Sequence, residues 1–329
     1  ILLTTLHRLS PIDNPQTADD REYNERSERW VHVLKRLRDL EWTLDDYYWL
    51  MKRKRSRLSI AEAQLFQNAP VIMESRRATD DNPEANCQFH NQERLRSHAK
   101  KEGVPVIAFD AVHDGVTSQE DGLRRDAMDF RGLDPRMEVC LEAPVILIHN
   151  LAVKHGLMNG SFGKVKHIQF SPGDRPDHAD FRRRMPAVLV VDFPGYKGPA
   201  FYDDPARRTW VPVMPATSHC DTNATITRTQ FPLTLGWALT PWKAQGMTLD
   251  KAIVKLGNKA SQPGVCFTAL SRVRHVDDLM LDDDFPSMQI IMSQANHPSF
   301  RKRLVWEKYR LADFSRTLRH HMRQQGSPS

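Results

Sequence analysis

Phe231–Gly257 reads FPLTLGWALTPWKAQGMTLDKAIVKLG, and its interpretation decides the fold class. Leu233, Leu235, Trp237 and Leu239 alternate with Thr234, Gly236, Ala238 and Thr240. That spacing predicts one strand with a large-residue face and a small-residue face that something can pack closely over. Pro241 removes a ladder donor and ends the strand. Lys243, Gln245, Gly246 and Thr248 then make a polar turn before a second apolar run, Ala252–Leu256. Charge, amide donors and a glycine at the carboxyl end of a strand suit a phosphate or polyanion site of an open α/β sheet. An ordinary strand–turn–strand fits the same spacing, and the residues alone leave both readings open.

The same residues resemble motif V of the PIF-type superfamily-one DNA helicases, whose pattern runs close to L-x-x-A-W-A-x-T-x-H-K-S-Q-G-x-T-L-D. Val265–Arg274, VCFTALSRVR, resembles that family's motif VI, Y-V-A-L-S-R-V-R, in the right order and at the right spacing. A third stretch, Val139–Val165, reads VCLEAPVILIHNLAVKHGLMNGSFGKV and is similar to the family's G-A-x-V-M-L-x-x-N-L…G-L-V-N-G-x-x-G-x-V, with Glu142 where the family has Gly. Its Gly160-Ser-Phe-Gly163-Lys164 is not a phosphate loop, since Met158 stands where the first Gly belongs and Val165 where a hydroxyl belongs. Asn159-Gly160 is a hairpin signal in its own right.

Composition sets outer bounds. The 329 residues hold one large or two ordinary domains with ample core. The apolar share is 40% and the charged share 27%, no apolar run is long enough to span a bilayer, and no membrane association is expected. Cys87, Cys140, Cys220 and Cys266 lie far apart without a Cys-x-x-Cys pair, which predicts a reducing, intracellular setting. Cys87 and His90 have Cys-x-x-His spacing but no second pair, so no metal site is expected. The formal charge is +6. Residues 299–329 carry eight Lys or Arg against Glu307 and Asp313, enough to account for all of that excess.

Taken in order, residues 1–20 are polar and Pro-broken. Arg8 weakly resembles the motif IV arginine, with Leu9 where the family has Gln; a solvated terminal arginine is the alternative. From Asp20 to about Met51 the pattern is helical, with Trp30, Val33, Leu34, Leu37 and Leu40 on one face and Thr43 as the cap of a second helix. Ala69–Met73, an exposed helix through Leu95 and Val104–Phe109 predict a strand–helix–strand unit. Lys164–Phe170, Ala187–Phe193 and Trp210–Met214 read as strands, and Pro263–Val273 as a helix with Arg272 and Arg274 near its end. Phe300, Leu304, Leu311, Phe314 and Leu318 stripe a basic terminal helix.

The resemblance implies an α/β fold: a RecA-like parallel-sheet domain (the second of a helicase core) with an inserted small SH3-like β-barrel and a C-terminal helix. The expected boundaries are 1–68 for the helical segment after motif IV, 69–136 for the first part of the RecA-like domain, 137–228 for the barrel, 229–285 for motifs V and VI, and 286–329 for the basic helix and tail. In the family, two RecA-like domains close on ATP and Mg2+ while single-stranded DNA crosses both. Arg272 matches the arginine that reaches the γ-phosphate, where a guanidinium stabilises the charge of phosphoryl transfer. An arginine paired with Asp250 or Asp277 is the structural alternative. Gln245, Gly246 and Arg8 match nucleotide-side positions, and Thr240, Trp242 and Lys243 match DNA-side positions.

Two motif V positions depart: Trp242 replaces His, and Ala244 replaces Ser. An indole stacking on a base and a decayed site both remain open. No Gly-x-x-x-x-Gly-Lys-Ser/Thr and no acidic Walker B strand occur, and the chain begins at Ile1. The expectation is therefore the C-terminal half of a helicase core, lacking its first RecA-like domain and inactive alone, in the nucleus or the mitochondrion. The competing expectation is a non-catalytic nucleic-acid-binding remnant of a degenerate helicase or mobile-element copy.

Overall fold

The computed structural model describes residues 12–13, 15–76, 86–257, 260 and 262–310. Arg8, Leu311, Phe314 and Leu318 lie outside them. The chain packs as two compact units, residues 1–74 with 240–329, and residues 75–239.

The first unit opens with α1 (Ala18–Asp39), started by a capping box in which Thr17 and Asp20 exchange side-chain and backbone hydrogen bonds. Trp30, Val33, Leu34 and Leu37 are its buried stripe, as the spacing predicts. Leu40 leaves that stripe: it adopts the left-handed conformation and caps the helix. A second capping box, Thr43 with Asp46, starts α2 (Leu44–Met51), and Ser59 with Glu62 starts α3 (Ile60–Gln64). Strand β1 (Val71–Met73) follows, wholly buried.

The second unit takes the chain from α4 (Cys87–Glu102) through β2 (Ile107–Asp110), β3 (Val112–Asp114), α5 (Gln119–Arg124), β4 (Arg136–Val139), β5 (Pro144–Leu147) and β6 (Phe162–Gln169). It continues with β7 (Val188–Asp192), β8 (Trp210–Val213), β9 (Ala216–His219), β10 (Thr227–Gln230), β11 (Leu233–Leu235) and β12 (Ala238–Leu239). Five strands form an antiparallel sheet in the order β11-β5-β6-β7-β8, with a bulge between Val165 and His167. Asn159-Gly160 makes the turn into β6, Gly160 taking φ +95° and its N–H donating to Leu147 O. Lys164 sits in β6, far in character from a phosphate loop.

The expected strand–helix–strand unit is not formed. Strand β2 pairs antiparallel with β4, from Ile107↔Val139 to Asp110↔Arg136, because Phe109, Met137 and Val139 share one buried cluster with Leu95 and the β5–β7 core. Helix α4 is accordingly not an exposed helix: Cys87, Asn91, Leu95 and Ala99 bury at spacings of four. Within this unit β4 pairs with β2 and β11 pairs with β5.

A third sheet, β3-β10-β9, carries Arg228, which is fully buried. Its Nε donates to His113 Nε2 at 2.7 Å, Nη1 to Leu133 O at 2.9 Å, and Nη2 to Gly122 O and Arg125 O at 2.8 and 3.0 Å. The guanidinium lies over Phe130, 4.1 Å from the ring centroid. Burial, then the Arg228 charge, pushes the His113 pKa down to about 4.

The rest of the first unit is α6 (Pro241–Ala244), β13 (Ala252–Lys255), α7 (Val265–Leu270), β14 (Leu279–Leu281) and α8 (Met288–Met292). β1, β13 and β14 are parallel neighbours, in registers Val71↔Ile253 and Ala252↔Leu279. Residues 298–310 are helical; Phe300 is buried there, whereas Leu304 is 39% exposed. Among the described residues no helix is long and apolar enough to cross a membrane, and no group of three or more His, Cys, Asp or Glu is placed to hold a metal.

Candidate functional site

The single alternating strand expected over 233–240 is two pieces. Strand β11 runs beside β5, and at Gly236 the N–H donates to Pro144 O at 2.8 Å. A Cβ there would meet Phe162 Cε1 at 3.0 Å, so the small residue is needed for close packing. Trp237 then turns against His98, ring centroids 5.7 Å apart. At Ala238 the buried Asn91 carboxamide pairs with the backbone as a strand would: Ala238 N donates to Asn91 Oδ1 at 2.7 Å, and Asn91 Nδ2 donates to Ala238 O at 3.0 Å. One carboxamide satisfying both backbone groups of a buried residue breaks the period of two.

Thr240 and Pro241 open a one-turn helix, with Pro at a position where the missing N–H costs nothing. Thr240 is 8% exposed and its hydroxyl accepts from Lys243 N at 3.4 Å. It therefore caps the turn. Trp242, by contrast, is 53% exposed, and Lys243 beside it is half-buried. Gln245 and Gly246 are exposed; Gly246 takes φ +89° with open space around its missing Cβ, so the turn leaves room for close approach to its backbone.

Arg272 follows α7 and is 7% exposed. Its Nη1 donates to Ala244 O at 3.1 Å and to Met247 O at 3.4 Å, and its Nη2 to Ser271 Oγ at 2.6 Å. Its own carbonyl accepts from Leu249 N at 2.9 Å. Both ends of the residue are thus attached to the turn that carries Trp242, Lys243, Gln245 and Gly246. The carboxylate partners weighed for Arg272 are elsewhere: Asp277 pairs with Arg26 and, at 3.7 Å, with Arg53, while Asp250 is exposed. Burial alone would raise the Asp277 carboxyl, but the His275 hydrogen bond and the Arg26 and Arg53 charges hold it below its usual range.

The structure therefore places Trp242, Lys243, Gln245 and Gly246 on one turn, attaches Arg272 to it and makes Thr240 its cap. Ser271 and Asn91 were missed as positioning residues. Ser271 was legible as Arg272's neighbour in ALSR; nothing in the sequence marks Asn91 as the partner of Ala238, 147 residues away.

No family model matches the chain. In sequence it is similar to the ATP-dependent DNA helicase PIF1 of Danio rerio, 28% identical over 200 residues, which are 59% of this chain and 27% of that protein. It is also similar to the ATP-dependent DNA helicase PIF6 of Trypanosoma brucei brucei, 31% identical over 202 residues, 59% of this chain and 23% of that protein. The chain thus matches only about a quarter of the length of these relatives. In fold it resembles the crystal structure of Pif1 helicase from Candida albicans, with a TM-score of 0.53 at 20% identity, covering 84% of this chain and 58% of that one. Over the part of its length that these proteins match, the chain is similar in sequence to the PIF-type helicases.

Proposed function

We propose that this chain supplies the second half of an ATP-driven DNA helicase motor, and that the turn at 242–246 grips single-stranded DNA while Arg272 serves the nucleotide. The observation that carries the reading is the attachment of Arg272 to the carbonyls of Ala244 and Met247. A residue matched to the γ-phosphate and a turn matched to DNA then share hydrogen bonds, so movement of one is felt by the other. Trp242 supplies a π-face and Lys243 a charge for a strand running across the turn. In this reading the antiparallel sheets of the second unit correspond to the inserted SH3-like barrel. ATP and Mg2+ are held chiefly by a first RecA-like domain that supplies the phosphate loop.

The remnant reading rests on Trp242 and Ala244, which replace the family's His and Ser. Titration of a short labelled single-stranded oligonucleotide by fluorescence anisotropy, at several salt concentrations, tests the DNA grip. Trp242→Ala should weaken binding by about 1–3 kcal/mol with little change in salt slope, and Lys243→Ala should flatten the slope by about 0.7. Parental behaviour of both variants would remove the turn as a DNA contact. Because its 329 residues contain no phosphate-loop motif, the chain alone should hydrolyse no ATP, with or without DNA. Turnover that Arg272→Ala abolishes would refute the division of labour.

A further inference from the structure

The first unit carries a second cluster of cations, Lys52-Arg-Lys-Arg-Ser-Arg57, and the fold divides its members between two jobs. Arg53 is buried; its Nε and Nη2 donate to Leu279 O and Asp277 O, each at 2.9 Å. Lys54 Nζ donates to Asp283 O at 2.7 Å, and Ser56 N to the Asp283 carboxylate at 3.0 Å. These bonds pin the segment against β14. Residues 55–57 then turn as a single 3-10 loop in which Arg57 N donates to Lys54 O at 2.9 Å. Lys52, Arg55 and Arg57 are left pointing at solvent, all exposed.

One helical turn before Lys52 stands Tyr48, 61% exposed, and before it Leu44, 62% exposed, so Leu44, Tyr48 and Lys52 share a face at spacings of four. The Tyr48 ring is supported from behind by Tyr47, centroids 5.8 Å apart at 70°, and Tyr47 is itself fixed by its hydroxyl donating to Pro286 O at 3.2 Å. Arg57 lies close enough for its charge to act on the Tyr47 phenol. The result is an exposed aromatic face held rigidly beside three outward cations on an anchored loop. The acids at the cluster are already engaged: Asp283 accepts from Ser56 N and its backbone carbonyl from Lys54, while Glu62 and Asp277 pair with Arg53 at 3.5 and 3.7 Å.

We propose that Tyr48 with Lys52, Arg55 and Arg57 forms a binding patch for single-stranded nucleic acid, one base stacking on Tyr48 and the backbone following the cations. A purely anionic surface, such as a lipid membrane or a duplex, needs the cations and leaves the phenol idle; an unstacked base uses both. The patch is built from residues other than those of the 242–246 turn, so it stands or falls separately from that reading.

The test is anisotropy titration of the full chain in a Trp242→Ala/Lys243→Ala background, which removes the turn. The probes are oligodeoxythymidylate and oligouridylate of equal length, a duplex, and phosphatidylserine vesicles. Binding of single strands should persist at low salt. Tyr48→Ala should weaken it about 5-fold or more, and Tyr48→Phe should not. Replacing Lys52, Arg55 and Arg57 together by Ala should lower the slope of log affinity on log salt by about 2, while replacing both arginines by Lys should leave it unchanged. Loss with thymidylate and uridylate alike, or with one only, supports the patch and assigns its sugar preference. No binding in the background, parental affinity in Tyr48→Ala, or vesicle or duplex binding that ignores Tyr48 and exceeds that of single strands would overturn it. An unchanged parent-to-background affinity would count against the turn alone.

Discussion

Neutral His113 between Arg228 and Gln119 makes the second unit sensitive to acid. In the unfolded chain the imidazole takes up a proton near pH 6.5; in the fold it resists until about pH 4. Between those values the unfolded state binds the extra proton, so acidification favours unfolding. The contribution is complete above pH 6.5 and is lost as pH falls towards 4. Linkage across that interval gives about 2 kcal/mol between pH 7 and pH 5, and about 3 kcal/mol in full. The physical origin is first burial, which penalises the imidazolium, and then the Arg228 charge: Nε2 faces the Arg228 Nε–H and would have no acceptor if protonated. Urea denaturation followed by circular dichroism at pH 7, 6 and 5 measures it, with His113→Gln as the reference because the amide oxygen can accept from Arg228 without titrating. The parent should lose about 2 kcal/mol more than the variant over that range. Parallel pH dependences in the two proteins, or an NMR titration placing His113 near 6.5, would refute the argument.

Asn91→Ala should destabilise the second unit by about 1–3 kcal/mol, because it strips both partners from the buried Ala238 peptide; thermal melting reads the loss, and Asn91→Asp should recover part of it at the N–H only. Arg272→Ala frees the carbonyls of Ala244 and Met247, and should cost about 1–3 kcal/mol of stability along with faster amide exchange at Met247 and Leu249. Unchanged exchange there would mean that the turn holds itself.

Local chemistry was legible in the sequence and distant chemistry was not. The helix after residue 17, its buried face and the Thr43 cap could be read because each depends on residues within one or two turns. The strands around Lys164, Val190 and Trp210 could be read for the same reason. The pairing of β2 with β4 could not, because Val104–Phe109 is equally apolar whichever sheet it joins, and the decision lies in Phe109 meeting Met137. The motif spacing drew attention to the turn at 242–246. It gave no sign that Thr240 would be consumed as a cap, or that Arg272 would choose backbone carbonyls over Asp277, since carbonyls carry no mark in a sequence.

The pinning of Lys52–Arg57 to β14 has a second effect, on self-association. Within the first unit β14 is the outermost of the three parallel strands, and its free side would offer a row of unpaired amide groups to any extended segment of another molecule. Leu281 N instead donates to Arg53 O at 2.9 Å, Lys54 bridges Leu281 in parallel, and the Arg53 side chain takes the Leu279 carbonyl. The border is closed by a segment too short and too cationic to be extended by a further strand. A chain whose β14 is Leu-Met-Leu thus carries its own gatekeeper against edge-to-edge aggregation, made by Arg53 and Lys54 of the same short segment whose other cations face outward.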